Sequence, residues 1–186
     1  MKVVLGGSRH LEYIPSEVAE RLNHWIEENS EFMVGDAPGS DRTIQLFLKS
    51  RNYRLVSVYT SADEIRNNLA GWPVVKVDSG LKSKSNAMHA FKDRRMSEIS
   101  DIGLMIWDCR SIGTLCNVID IVSQGKKCAV WVAPDSVLYE FDNLNSLEKW
   151  MVNYSQVREE ALNRLFTFRK REAKRTLLNS QPELFE

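Results

Sequence analysis

Residues 91–127 read FKDRRMSEISDIGLMIWDCRSIGTLCNVIDIVSQGKK, and they contain a helix–strand–turn–helix pattern. A helical segment at about 86–100 leads into an apolar run at 103–107, which is typical of a buried strand. The run breaks at the polar residues 108–111, and a second helix is predicted to begin near Gly113. This order of elements places a helix N-terminus directly after a buried strand.

The turn between this strand and the second helix has the features of an anion-binding site. The first N–H groups of a helix lack intrahelical acceptors and carry the positive end of the helix dipole. Ser111 and Thr114 add hydroxyl donors, and Arg110 adds a positive charge. We therefore expect this turn to bind a phosphate or another polar edge of a nucleotide-like ligand.

Strands and helices alternate through the first 134 residues. Short apolar runs predict strands at 2–6, 32–34, 55–59, 74–77, 103–107 and 128–132. Helical spacing predicts helices at 15–29, after a cap at Ser40 or Asp41, at 61–69 and at 86–100. The polar segment 78–85 is predicted to be a mobile loop. This alternation predicts an α/β fold, an open parallel sheet with helices on both faces and right-handed crossovers.

The pattern changes after Pro134. Residues 137–145 look irregular, 146–154 predict a short helix, and 156–178 predict a long, charge-rich amphipathic helix before a frayed tail at 181–186. The basic end of the long helix is either a solvated face, a dimer arm or a nucleic-acid contact. We therefore predict a nucleotide-binding domain at 1–134 and a helical extension at 135–186, packed on that domain or on a partner.

Three polar glycine-containing turns follow predicted strands, and ligands of open parallel sheets bind at the carboxyl ends of the strands. The candidate ligand-binding residues in these turns are Gly7, Ser8 and Arg9; Gly35, Asp36, Gly39, Ser40 and Asp41; and Asp108, Arg110, Ser111, Gly113 and Thr114. One glycine turn is weak evidence, because glycine also marks ordinary turns. Three such turns at one edge of a sheet favour a shared site.

Individual residues in these turns have alternative roles. Arg9 is suited either to bidentate phosphate binding or to a surface ion pair with Asp36 or Asp41. The two aspartates are suited to hydrogen bonding with ribose hydroxyls, although Asp41 could simply cap its helix. Lys92 and Arg95 share one face of the helix before the fifth strand, and this face is directed to the site, to the core or to solvent. Cys109 lies near a helix N-terminus, a position that can lower a thiol pKa.

Composition excludes several classes of function. The 25 basic and 25 acidic residues cancel, so the chain has no net positive charge for general nucleic-acid binding. The three cysteines form no C-x-x-C pair, which indicates a reduced, cytoplasmic setting. The sequence contains no membrane-spanning run and no histidine spacing typical of a metal site, and it indicates no cofactor. It also lacks a Walker-type or G-x-G-x-x-G motif after the first strand.

The chain resembles the SLOG superfamily of Rossmann-like domains, which includes LOG-type (lysine-decarboxylase-like) phosphoribohydrolases and DNA-processing-protein-A-like modules. The matching residues are Gly6-Gly7-Ser8-Arg9, Gly35-Asp36-Ala37-Pro38-Gly39-Ser40-Asp41, Lys92-Asp93-x-x-Met96 and Trp107-Asp108-Cys109-Arg110-Ser111-Ile112-Gly113-Thr114. The last motif is similar to D-G-K-S-x-G-T in the family, with Cys109 in place of glycine and Arg110 in place of lysine. The resemblance covers about residues 1–134 and implies a nucleotide pocket with phosphate at the turn 111–114. Related domains commonly pair, so a homodimer is a further expectation.

One departure from the family concerns its chemistry. LOG-type enzymes cleave an N-glycosidic bond with an Arg on the preceding helix, which aligns approximately with Lys92, and a Glu that aligns with Asn117. Asparagine can hydrogen-bond a ligand but cannot act as a general base. Asp108, Asp36 or Asp41 would have to replace the missing carboxylate. The residues predicted as catalytic candidates are Asp108, Asp36 and Asn117.

Three hypotheses follow from the sequence. The first is a sensor or accessory protein that binds a nucleotide or nucleotide-derived molecule without turnover, and the missing Glu favours it. The second is an N-glycosidase-like hydrolase with a non-standard carboxylate. The third is a nucleic-acid-binding module of the DNA-processing type, which the zero net charge disfavours.

Overall fold

The computed structural model describes residues 1–78 and 86–179. Apart from Asp78, the predicted mobile loop at 78–85 lies outside the described residues, as does the tail at 181–186. The strands are β1 (Lys2–Gly7), β2 (Glu31–Gly35), β3 (Val56–Thr60), β4 (Val74–Lys76), β5 (Ile102–Trp107), β6 (Lys127–Val132) and β7 (Val137–Phe141). The helices are α1 (Ser16–Glu27), α2 (Ser40–Ser50), α3 (Asn86–Ile99), α4 (Ile112–Ser123), α5 (Leu144–Met151) and α6 (Ser155–Asn179), with a 3-10 turn at Val152–Tyr154.

The seven strands of the described residues form one sheet in the order β4-β3-β2-β1-β5-β6-β7. All neighbouring strands are parallel except β6 and β7, which are antiparallel. The chain moves outward from β1 through β4 and returns to the other side of β1 with β5. This topology confirms the predicted α/β, Rossmann-like fold. The strand order reverses between β1 and β5, which is where open α/β sheets bind their ligands.

Helices cover both faces of the sheet because alternate strand residues point to opposite sides. Val3 and Leu5 of β1 pack in one apolar cluster with residues of α1 and α2. Val4 packs in the other cluster with residues of α3, α4, α5 and α6. Strands buried on both faces must be apolar throughout, which explains the continuous apolar runs in the sequence.

Two predictions of secondary structure were wrong. Residues 61–69 form no helix, because the N–H of Arg66 donates to Asp36 Oδ2 at 3.3 Å and the N–H of Leu69 donates to Gln45 Oε1 at 3.1 Å. These side chains from neighbouring elements replace helical acceptors. Val137–Phe141 is not irregular but forms β7, paired with β6 through a hairpin in which Ser136 has a φ of 51°.

The predicted cap of α2 was also wrong. Gly39, with a φ of 74°, occupies the N-cap position, and Ser40 and Asp41 lie inside the first turn. The hydroxyl of Ser40 instead donates to the carbonyl of Ser8 at 2.9 Å. Asp41 Oδ2 accepts the N–H of Ala37 at 3.1 Å. Both side chains therefore hold the turns around the carboxyl ends of β1 and β2.

The C-terminal elements pack on the chain's own sheet. Trp107 at the end of β5 contacts Trp150 and Tyr154, with ring centroids 5.5 and 4.9 Å apart. Helix α6 lies against α4, where Ala161 is fully buried and its carbonyl accepts the Cys116 thiol at 3.6 Å. Among the helices within the described residues, none combines the length and apolarity needed to cross a membrane.

Replacing Gly7 by alanine is expected to lower the free energy of unfolding by about 2 kcal/mol or more. A Cβ at this position would lie 2.3 Å from the carbonyl oxygen of Ile106 and 2.8 Å from Ser40 Oγ. The backbone oxygen belongs to β5 and cannot move without disturbing the sheet. Urea unfolding monitored by circular dichroism measures the change.

Gly6→Ala is the matched control, because its Cβ would meet Met105 Sδ at 3.5 Å, an ordinary contact distance. We expect a change below about 1 kcal/mol for this variant. Equal stability of the two variants would contradict the close approach between Gly7 and β5.

Candidate functional site

A cavity of about 440 Å³ opens where the carboxyl ends of β1 and β5 lie side by side. Its wall combines the turns after β1 and β5, the start of α4, one face of α3 and a residue of α6. Nine of the predicted ligand-binding residues line this cavity: Gly7, Arg9, Asp41, Lys92, Asp108, Arg110, Ser111, Gly113 and Thr114. Residues predicted from three separate turns therefore meet at one cleft.

The other predicted residues do not form the wall. Five of them support it from behind or beside: Ser8, Gly35, Asp36, Gly39 and Ser40. Arg95 lies outside the cavity, where its side chain is 57% exposed and pairs with Glu98 at 3.7 Å. The catalytic candidate Asn117 does line the cavity, one helical turn after Gly113.

Ser8 fixes the turn after β1 to two other elements. Its N–H donates to the carbonyl of Ile106 in β5 at 2.8 Å, and its carbonyl accepts the N–H of Ser40 in α2 at 3.2 Å. Its hydroxyl donates to Asp108 Oδ1 at 2.8 Å. Ser8 is fully buried, so its part in the site is to hold the turns together.

Asp108 organises the turn after β5. Besides the hydroxyl of Ser8, its Oδ1 accepts the N–H groups of Arg110 at 3.0 Å and Ser111 at 2.8 Å. Burial raises the pKa of Asp108, but these N–H and hydroxyl donors outweigh burial and hold the pKa below its usual value. The carboxylate is therefore ionised at neutral pH and engaged in shaping the turn, which makes it a poor proton donor.

Ser111 caps α4 at the floor of this turn. Its Oγ accepts the N–H of Thr114 at 3.3 Å and the hydroxyl of Thr114 at 2.9 Å. A hydroxyl has two lone pairs and one proton, so Ser111 retains its proton for a further acceptor. A hydroxyl donor thus accompanies the positive end of the α4 dipole at the cavity wall.

Asp36 is locked beneath the cavity. Its side chain is fully buried and binds the guanidinium of Arg66 through both oxygens, while the Thr60 hydroxyl donates to Oδ2 at 2.9 Å. Burial raises the pKa of Asp36, and the Arg66 hydrogen bonds and the charge of Lys92 outweigh it, so the pKa lies below its ordinary value. This saturated carboxylate positions Arg66, which lines the cavity.

Lys92 is the buried cation of the site. Its ammonium lies 3.4 Å from Asp93 Oδ1 and 4.0 Å from Asp36 Oδ1, and its side chain is 5% exposed. Burial lowers the pKa of Lys92, but the charges of Asp93, Asp41 and Asp36 more than offset it and raise the pKa. Gly35 leaves room for this arrangement, since a Cβ there would lie 2.5 Å from the Lys92 ammonium.

Asp41 differs from the other carboxylates. Burial raises its pKa to about 6, although the charge of Lys92 opposes part of the rise. Its Oδ2 accepts the N–H of Ala37. Its Oδ1 lies at the cavity wall, 3.6 Å from the point where a Cβ on Gly6 would stand. Asp41 is thus the wall carboxylate with a pKa close to neutral.

The thiol of Cys109 does not have the lowered pKa that its place near a helix N-terminus suggested. Burial raises the pKa of Cys109, which a hydrogen bond with Tyr154 only partly opposes. The residue has a φ of 62°, in the left-handed region that favours glycine. The motif that this turn resembles has glycine at this position, and glycine adopts this backbone conformation without strain.

Four of the ionisable residues that line the cavity were not among the predicted site residues: His10, Arg66, Asp93 and Arg164. Arg66 lies within the segment 61–69 that was predicted as a helix, and Arg164 lies in a helix whose charges were interpreted as a solvated face. Within the described residues, the wall carries five arginine or lysine side chains and three carboxylates. The excess of positive charge suits an anionic ligand.

Replacing Asp41 by asparagine is expected to flatten the pH dependence of stability between about pH 4 and 6. An unfolded aspartate has a pKa of about 3.9, below the folded value of about 6 for Asp41. In this window the folded protein binds more protons than the unfolded chain, so the free energy of unfolding falls as pH rises. The fall is on the order of 2 kcal/mol, and the amide removes it.

Urea unfolding at several pH values within this window measures the slope. Asp63→Asn is the control, because Asp63 has a side chain that is 92% exposed, with Lys76 at 3.4 Å. Parallel pH profiles for the wild type and Asp41→Asn would contradict a raised pKa of Asp41 in the folded protein.

Comparisons with known proteins yield no relative: no family model, curated protein or solved structure matches the chain. The resemblance to the SLOG superfamily therefore stays a prediction that rests on the motifs. The residues of the cavity are the observation on which a proposed function can rest.

Proposed function

We propose that this protein binds a nucleotide or nucleotide-derived molecule at the carboxyl ends of the parallel strands, as a sensor or accessory protein. The observation that carries the proposal is the cavity at the β1–β5 reversal, where the N-terminus of α4 and five cationic side chains face one space. Its volume of about 440 Å³ falls within the usual range for small-molecule pockets.

The turn 111–114 is the proposed position of a phosphate. The helix N-terminus supplies partial positive charge, and Ser111 has a hydroxyl proton to donate. Arg9 and Arg110 are exposed side chains on the same wall and can add bidentate hydrogen bonds to phosphate oxygens. This combination of donors favours a phosphate over a neutral ligand.

The remaining wall suits the sugar and base. Met96, Met105 and Ile121 provide apolar surface for a flat ring, and Asp41 offers a carboxyl oxygen near Gly6 for a ribose hydroxyl. Asp36 was predicted to share this role, but its oxygens already bind Arg66 and Thr60. We therefore assign the hydroxyl contact to Asp41 alone.

Binding without turnover is the favoured form of the proposal. Asn117 lines the cavity where the related hydrolases have a glutamate, and an amide cannot act as a general base. Asp108 is held in its turn by three donors, and Asp36 is saturated. Neither of these aspartates is arranged to replace the glutamate.

A hydrolase is the second candidate, and Asp41 is the observation that favours it. Its carboxyl lines the cavity with a pKa of about 6, which suits a general acid or base near neutral pH. The reaction would be hydrolysis of the N-glycosidic bond of a nucleotide, in which water replaces the base.

Ligand-induced stabilisation tests the main proposal. We expect at least one of AMP, ADP and NAD to raise the melting temperature of the wild type by mass action. Arg9→Gln should lose most of this shift, since it removes a cation from the cavity wall. Differential scanning fluorimetry with each ligand measures the shift.

Arg95→Gln is the matched control, because it removes the same charge from an exposed residue outside the cavity. It should retain the full shift. The proposal fails if none of the three nucleotides shifts the wild type, and equal losses in the two variants would indicate a non-specific charge effect.

Product analysis separates binding from turnover. We expect AMP to be recovered intact after prolonged incubation with the wild type, as measured by liquid chromatography with mass spectrometry. Release of adenine by the wild type but not by Asp41→Asn would instead establish the hydrolase. The same experiment at about pH 5, 6 and 7 would then test whether activity follows the titration of Asp41.

A further inference from the structure

Arg164 of α6 reaches the N-terminus of α4. Its Nη1 lies 4.0 Å from the point where a Cβ on Gly113 would stand, and its side chain lines the cavity. Gly113 is the second residue of α4. The guanidinium is therefore within reach of any anion that binds the first-turn N–H groups of this helix.

The position of Arg164 follows from the packing of α6. The carbonyl of Ala161 accepts the thiol of Cys116, and Arg169 donates to Ser123 Oγ at 3.2 Å, so α6 and α4 run in the same direction. Phe168 is buried and contacts Phe91 of α3, with ring centroids 4.8 Å apart. The helix is thus attached on both sides of Arg164.

Helix geometry explains why this residue points at the site. Side chains on a helix lean toward its N-terminus, and the N-termini of parallel helices lie at the same end. Arg164 lies between the contacts at Cys116 and Ser123, and its side chain leans back from there toward Gly113. A guanidinium is always charged and presents a planar fork of donors that matches phosphate oxygens.

We propose that Arg164 binds the same phosphate group that the N-terminus of α4 holds, so that ligand binding and the packing of α6 on α4 stabilise each other. This inference rests on the proposed function and adds a residue from outside the strand–helix core. The ligand class is a molecule with a terminal phosphate, such as a nucleoside monophosphate. By linkage, an anion that contacts both helices favours the conformation in which they are packed together.

Isothermal titration calorimetry with AMP and adenosine tests the contact. Arg164→Gln should weaken AMP binding about tenfold or more, as expected for loss of a charged hydrogen-bond partner, and should leave adenosine binding within about twofold. Arg164→Lys keeps the charge but not the planar fork, so we expect a smaller loss of about threefold. The lysine variant also tests the contact if the glutamine variant does not fold.

Lys170→Gln is the matched control, because Lys170 lies on α6 over the ring of Phe166, outside the cavity, and loses the same charge. Its AMP affinity should equal that of the wild type. Amide hydrogen exchange provides the second measurement: AMP should slow exchange in α6 of the wild type and of Lys170→Gln, but not of Arg164→Gln.

The outcomes separate the two proposals. Wild-type affinity for AMP in Arg164→Gln, or an equal loss for AMP and adenosine, would overturn the role of Arg164 and leave the nucleotide site standing. Unchanged exchange in α6 of the wild type on AMP binding would overturn the coupling to helix packing. Failure of the wild type to bind either molecule would remove the nucleotide site and this contact together.

Discussion

The paired hydrogen bonds between Ser8 and Asp108 join two turns that are a hundred residues apart in the chain. The Ser8 hydroxyl donates to Asp108 Oδ1 at 2.8 Å, and the N–H of Asp108 donates to Ser8 Oγ at 3.1 Å. The same carboxylate then accepts the N–H groups of Arg110 and Ser111, which sets the direction in which α4 begins. Gly7 has no side chain, and a Cβ there would collide with the backbone of β5. The absence of that Cβ lets the two turns approach closely enough for these bonds. The cavity exists at this point because the strand order reverses here and the helices on either side diverge.

The buried charges around Lys92 form a second constraint, and their energetics differ from those of the turns. A buried cation is tolerated when carboxylates surround it, and removing one partner from such a group is usually more costly than the net stability of the group. Asp93 and Asp36 lie within 4.0 Å of the ammonium, and Arg66 completes the balance by binding Asp36. The group carries little net charge, so its main effect is to fix side chains at the base of the cavity. A site that must hold a polar ligand in one orientation needs walls fixed in this way.

The sequence was sufficient for the six parallel strands and for ten of the residues that line the cavity, because both depend on local patterns. Apolar runs ended by glycine turns identify parallel strands, and the carboxyl ends of parallel strands must share an edge.

What the sequence could not supply were contacts between distant segments. The interaction of Asp36 with Arg66 spans thirty residues and removes the helix expected at 61–69. Strand β7 was missed because Pro134 signals the end of a strand, and a serine with positive φ at 136 is an unusual hairpin residue. Helical periodicity identified α6 but does not indicate which neighbouring element its charged face contacts. The position of Arg164 in the cavity wall was therefore not predicted.

The distribution of charge within the cavity would orient the proposed ligand. The cations at the base, Lys92 and Arg66, are matched by the carboxylates that surround them, whereas Arg9 and Arg110 are exposed on the rim. An anionic group would gain little at the matched base and most near the rim, where the N-terminus of α4 also lies. The neutral part of the ligand would then extend toward Asp41 and the methionines, where a hydroxyl and a flat ring find partners. This polarity would allow a protein with zero net charge to favour a small anion, since the proposed binding would depend on the local field of the cleft and not on the total charge of the chain.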